Sequence, residues 1–98
     1  MIAGVCYCLD EADIIARSIE HHLNEGVDHI FVAHGPSSDA TGEILANFAG
    51  FAEVTVLENH DEMSHQQHWT DLLAALAAVH GATWIVPFDA DEFWCWDG

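Results

Sequence analysis

Asp89 and Asp91 stand two residues apart, directly after the apolar run Trp84-Ile85-Val86-Pro87-Phe88. In an extended chain this spacing puts both carboxylates on one face, roughly 6 to 7 Å apart at the backbone. Two like charges at that separation repel by about 2 to 3 kcal/mol at an effective dielectric of 20, and a divalent cation between them reverses the sign. Hard oxygen ligands suit Mg²⁺ or Mn²⁺, ions that commonly hold substrate phosphates against one or two carboxylates. The run before the acids reads as a buried strand, and open α/β sheets bind ligands outside the carboxyl ends of their strands. A solvated acidic turn is the other reading of the same residues, because an isolated DxD is a weak motif.

The charge balance bears on both readings. Seventeen acidic residues face a single base, Arg17, and the formal charge is −16. Nucleic acid is a poor partner for such a chain, since phosphate backbones are bound through Lys and Arg clusters. Anionic membrane surfaces are disfavoured on the same ground. A diphosphate would meet almost no protein cation here and would need a bound metal ion to neutralise it. Most of the other acids are read as a solvating surface.

The histidines offer a second constellation. His60, His65 and His68, with Asp61 nearby, have loop and i,i+3 spacing from which a Zn²⁺-binding, noncatalytic module could be built, although the spacing matches no closed four-ligand site. A nucleotidyltransferase on a similar sheet is a further alternative. It usually needs a Gly-rich, basic loop near the first strand, and Cys8-Leu9-Asp10-Glu11 is neither. The chain carries no Walker sequence and no GxGxxG. Cys6, Cys8 and Cys95 have no CxxC spacing and read as reduced thiols, the first two sharing one face of a strand.

These groups must be positioned by elements that alternate along 98 residues, enough for one small core and one domain, residues 1–98. Residues 2–8 are β-prone. Asp10 is a candidate N-cap for a helix that runs to Glu25 and stops at Gly26, with Ile14, Ile15, Ile19 and Leu23 as its apolar face and Arg17 opposite. Residues 29–33 read as a buried strand, broken by the turn residues 34–38. Ser38 or Asp39 caps a short helix with Ile44, Leu45 and Phe48 inward. Residues 54–57 form a third strand. Ser64 and Gln67 have the capping-box pattern for a helix that ends at Gly81, with Trp69, Leu72, Leu73, Leu76 and Val79 as its core stripe. The order β-α-β-α-β-α-β predicts an α/β fold: a parallel sheet with helices on both faces and right-handed crossovers. Pro87 is disfavoured in a central strand, so it belongs at a strand end or on an edge strand. No run approaches the ~20 apolar residues of a membrane span. The first nine residues lack the basic region and cleavage site of a signal peptide, so the expected location is cytoplasmic.

The whole pattern resembles the family 2 type of glycosyltransferase. It carries Glu11, His21-His22, Gly26-Val27-Asp28-His29-Ile30, Ser37-Ser38-Asp39-Ala40-Thr41, Gln66-Gln67, Trp84 and Asp89-Ala90-Asp91-Glu92-Phe93, in that order over nearly the full chain. The resemblance implies a Rossmann-like nucleotide-binding half of a GT-A fold that takes a nucleotide-diphosphate sugar and transfers the sugar to an acceptor, whether glycan, lipid or small molecule. It implies Asp91 as the direct ligand of Mn²⁺ or Mg²⁺ and Asp89 as its partner, contacting ribose or metal-bound water. Glu11 and Asp39 would line the nucleotide site. His34 occupies the place where family members often carry a base-reading acid, and Asp10 replaces the usual Asn before Glu11. The family continues past the metal motif into an acceptor-binding half that carries the catalytic base of inverting members. By that comparison the sequence to Gly98 is the donor-binding part of a longer domain, with the base beyond it.

Overall fold

The computed structural model of the chain describes residues 1–8, 12–34, 40–48, 50–58 and 66–88. Seven elements alternate: β1 (Ile2–Cys8), α1 (Ile15–Asn24), β2 (His29–His34), α2 (Thr41–Phe48), β3 (Val54–Glu58), α3 (Gln66–Val79) and β4 (Trp84–Pro87). The four strands make one all-parallel sheet in the order β3-β2-β1-β4. The α/β class and the parallel sheet expected from the alternation are therefore present.

Strand residues alternate between two cores, as the period of two requires. Cys6, Cys8, Ile30, Val32 and Val54 point to one face, where Ile15 and Ile19 of α1 and Leu45 and Phe48 of α2 cover them. Ala3, Val5, Tyr7, Phe31 and Ala33 point to the other, under Leu73 and Ala77 of α3. The first two crossovers step outward from β1 to β3 with their helices on one face. The third reverses direction and uses the opposite face, so all three have the same hand, as the right-handed rule demands of parallel units.

The helix stops follow from glycine. After α1, Gly26 at φ +112° lets its N–H reach Leu23 O and the Val27 N–H reach His22 O. After α3, Gly81 at φ +96° does the same with Ala78 O, and the Ala82 N–H reaches Ala77 O. Both are Schellman closures, which satisfy carbonyls that the helix end leaves open. Nothing lies within 4 Å of a Cβ added at Gly26, so substitution there is penalised by backbone conformation alone. Gly26→Ala is expected to lower stability by about 1 to 2 kcal/mol in urea unfolding, with no change in the slope.

Asp28, within the Gly26–Ile30 stretch, belongs to the fold. Its carboxylate accepts from the Ile2 N–H at 2.8 Å and its own N–H donates to Ile2 O at 2.8 Å, pinning the start of β1 beside β2. Next along the chain, His29 has its Nε2 2.8 Å from Thr55 Oγ1 and its ring against Phe31. Burial chiefly, and His80 second, hold the His29 ring below its ordinary value of 6.5, against an opposing pull from Glu53. The folded state thus binds this proton more weakly than the unfolded chain does. The contribution is whole above pH 6.5 and is lost as the pH falls from there through the folded value. Thermal midpoints between pH 8 and pH 5 should accordingly fall on the acid side, and His29→Gln should flatten that slope.

Four sequence expectations need correction. The first helix begins at Ile15, with Ile14 as N-cap and no side-chain capping bond, so Asp10 is not its cap. Residues 12–14 form a turn ahead of it, placing the first helical hydrogen bond at Ile14 O, which accepts from Ser18 N. The core stripe drawn on α3 was too wide. Leu73 and Ala77 are buried, whereas Leu72 is 44% and Val79 84% exposed. At about 100° per residue, Leu72 and Val79 lie about 100 to 120° from Leu73, on the flank of the helix. The Trp84 strand is not buried. It is the sheet edge among the described residues, with Trp84 72% exposed. Finally, α1 buries two polar residues that the apolar pattern missed, Ser18 and His22.

Pro87 is the last residue of that edge strand. Phe88 N donates to Val5 O at 3.0 Å, so alternation turns the Pro87 nitrogen away from β1, where no ladder bond is required. Among the described residues no helix is long and apolar enough to cross a membrane.

Candidate functional site

Parallel strands end together. Cys8, His34 and Glu58 are register partners across β1, β2 and β3, and they form the carboxyl edge of the sheet. Each is followed directly in the sequence by a segment that carries predicted chemistry: residues 9–11 with Glu11, 35–39 with Asp39, and 59–65 with His60 and His65. β4 runs parallel toward the same edge, and the residue that follows it, Phe88, bonds Val5, three residues before Cys8. The strand order reverses between β1 and β4, because β1 leads outward to β2 and β3 while β4 returns to its other side. Such a reversal opens a crevice at the carboxyl ends of the two strands, the usual ligand position of an open α/β sheet.

Of the residues predicted for the site, only His34 lies within the described residues. It closes β2, half-buried, and its ring lies against the start of α2, with Cε1 3.3 Å from the position a Cβ on Gly42 would take. Glycine at that point lets an imidazole sit close to the first turn of the helix. Glu11, Asp39, Asp89 and Asp91 lie outside the described residues, as do His60 and His65, and of His68 the backbone in α3 is described. Among the described residues no group of three or more His, Cys, Asp or Glu is assembled to hold a metal ion. The Asp89 and Asp91 donor set is chemically suited to a hard divalent ion, being two carboxylates on a chain with one basic residue. The ladder bond from Phe88 N to Val5 O ties β4 to β1 up to the residue that precedes that pair in the sequence.

The helix starts bear on the same edge. α1 follows β1 and has no acid in its first turn and no side-chain cap, and Arg17 stands exposed in that turn. The first turn of α1 thus carries the positive end of the helix dipole, and its N-cap, Ile14, supplies no side-chain acceptor.

Two residues of β1 were not singled out from the sequence. Tyr7, next to the carboxyl end of β1, is buried, and its hydroxyl has no hydrogen-bond partner among the described residues. Leaving a hydroxyl so costs about 1 to 3 kcal/mol. In the sequence Tyr7 reads simply as one more β-prone residue. Gly4 is the other. A Cβ there would stand 3.0 Å from Phe88 Cε1, so the Phe88 ring rests on bare backbone. Its only sequence signal is a glycine inside a strand pattern, which often marks a close approach. The chain matches no family model, and no curated protein matches it.

Proposed function

We propose that the chain binds a nucleotide-diphosphate sugar and is the donor-binding part of a metal-dependent glycosyltransferase of the GT-A type, similar to family 2. One observation carries the reading: the strands that lead into Glu11, Asp39 and Asp89 all end at one edge of a parallel sheet, two of them flanking its switch point. That convergence is what a site made of residues remote in sequence requires.

In this reading Asp91 and Asp89 hold the cation, and Glu11 and Asp39 accept hydrogen bonds from ribose or base. His34, at the end of β2, stands where the base is read. An imidazole can donate or accept there according to its tautomer, unlike the acid that the family often uses. Mn²⁺ or Mg²⁺, when bound, would neutralise the diphosphate as it leaves the anomeric carbon. The acceptor hydroxyl needs a general base, for which this chain has no assigned residue, and the transfer is proposed to invert the anomeric carbon.

Calorimetric titration of the purified protein with a panel of nucleotide-diphosphate sugars, in Mn²⁺ and in EDTA, tests the reading. Binding of a donor that requires the metal supports it. Binding undiminished by EDTA, or no binding of any donor with Mn²⁺ present, overturns it. Product of retained configuration would remove inversion alone.

A further inference from the structure

We infer that His22 and Gly4 are positioning residues for the acidic motif and act through Phe88, an inference that rests on the metal reading above. Phe88 is the last residue before Asp89, it is buried, and its N–H is tied to Val5 O at 3.0 Å. Its ring is held on two sides. His22 of α1 stacks on it, with ring centroids 4.1 Å apart and planes 25° from parallel. On β1, Gly4 leaves space for the ring edge, since a Cβ there would be 3.0 Å from Cε1 and 3.6 Å from Cδ1.

The His22 ring is itself fixed. It is fully buried, and its Nδ1 lies 2.7 Å from Ser18 O, one turn back on the same helix. A carbonyl can only accept, so Nδ1 carries the proton and donates, which sets both tautomer and ring plane. His21 packs edge-on against the same ring at 5.3 Å. A leucine would fill this part of the core without placing a polar ring there. What the imidazole adds is a flat surface at a fixed angle, applied to the side chain that precedes Asp89. Gly4 and His22 thus hold Phe88, at the end of β4, between β1 and α1, one residue before Asp89 in the sequence.

Groups that orient metal ligands without touching the ion commonly contribute about 10- to 100-fold in affinity. The test is Mn²⁺ binding by the purified protein, read as loss of the free-ion electron paramagnetic resonance signal. His22→Leu and Gly4→Ala are compared with Leu45→Ala. This last core change lies on α2, which packs on β3 at the opposite end of the sheet from β4. Thermal unfolding of each variant accompanies the titration. His22→Leu and Gly4→Ala are expected to weaken Mn²⁺ by about tenfold, and Leu45→Ala to stay within about twofold of the parent despite its own loss of stability. If Leu45→Ala weakens the ion as much as the other two, or if either clamp variant is folded and binds like the parent, the clamp is only packing and the inference fails. Should His22→Leu not fold, Gly4→Ala decides. Absence of Mn²⁺ binding in the parent removes the metal reading, and the clamp with it.

Discussion

Asp91→Asn is expected to weaken metal-dependent donor binding by about 100-fold or more, while leaving the metal-free protein as stable as the parent. The two halves of that result have separate causes. A carboxamide keeps the shape of Asp91 but removes the charge that would hold the cation, and with it the charge that answers the diphosphate. Arg17 is the only basic residue, and it cannot replace that charge alone. Two carboxylates two residues apart repel when no cation lies between them, so neutralising one is expected to cost the metal-free protein nothing. The contrast should be visible in thermal unfolding. Mn²⁺ at 100 times its dissociation constant adds about 2.7 kcal/mol to a protein that binds it only when folded. The parent midpoint should therefore rise with Mn²⁺, and that of Asp91→Asn should barely move. Equal shifts in the two proteins would show that the ion binds elsewhere.

Phe31→Ala is expected to cost about 3 to 5 kcal/mol in urea unfolding, the largest loss of any single truncation proposed for this core. Phe31 is the bulkiest fully buried side chain among the described residues, in the middle of β2, with β1 on one side and β3 on the other. Its ring lies against His29 at 4.5 Å and His80 at 5.5 Å, so truncation exposes two imidazoles as well as a void. Neighbours of that kind collapse poorly into a cavity, which favours the upper part of the range. Domains of this size have about 5 to 15 kcal/mol in all, so the variant should be partly unfolded near room temperature if the parent is at the low end. A loss under about 1 kcal/mol would mean that α3 settles onto the sheet to fill the space.

The sequence made some parts of this architecture readable and hid others for physical reasons. β1 was legible to the residue, because Ile2, Val5, Cys6, Tyr7 and Cys8 make an apolar, β-rich run that gives way to Asp10 and Glu11 after Leu9. Both glycine helix stops were legible, since Gly26 and Gly81 follow apolar periodicity directly and only glycine adopts their φ at low cost. The start of α1 was not, because Asp10 and Asp13 are both good starting residues, and the choice of Ile14 depends on how Ile15 and Ile19 meet the sheet. The exposure of Leu72 and Val79 was hidden too. Adjacent leucines at 72 and 73 look alike in a helical pattern, and only the position of α3 over Ala3, Val5 and Ala33 decides between them. The apolar run at Trp84 suggested a buried strand, while Pro87 within it allowed a strand end or an edge, and the strand order decides for both. For the site, residue type alone singled out Asp89 and Asp91, which lie outside the described residues, and the sheet shows only that β1 and β4 are neighbours where the strand order reverses. His22 read from the sequence as either a surface or a packing residue of its helix, and the stack on Phe88 decides for packing.

The reversal of strand order has a kinetic side. The start of β1 meets the turn before β2 across 26 residues, but it meets the turn before β4 across 82. By loop-closure entropy the second junction costs about 1 kcal/mol more than the first. Contacts between distant parts of a chain also form late, and here β4 has neighbours on one side only among the described residues. The β1–β4 seam is therefore the last to close as the sheet assembles and the first to part when the molecule breathes. A ligand gripping both sides of that seam would act as a cross-link between the two ends of the chain, slowing their separation in proportion to how tightly it is held.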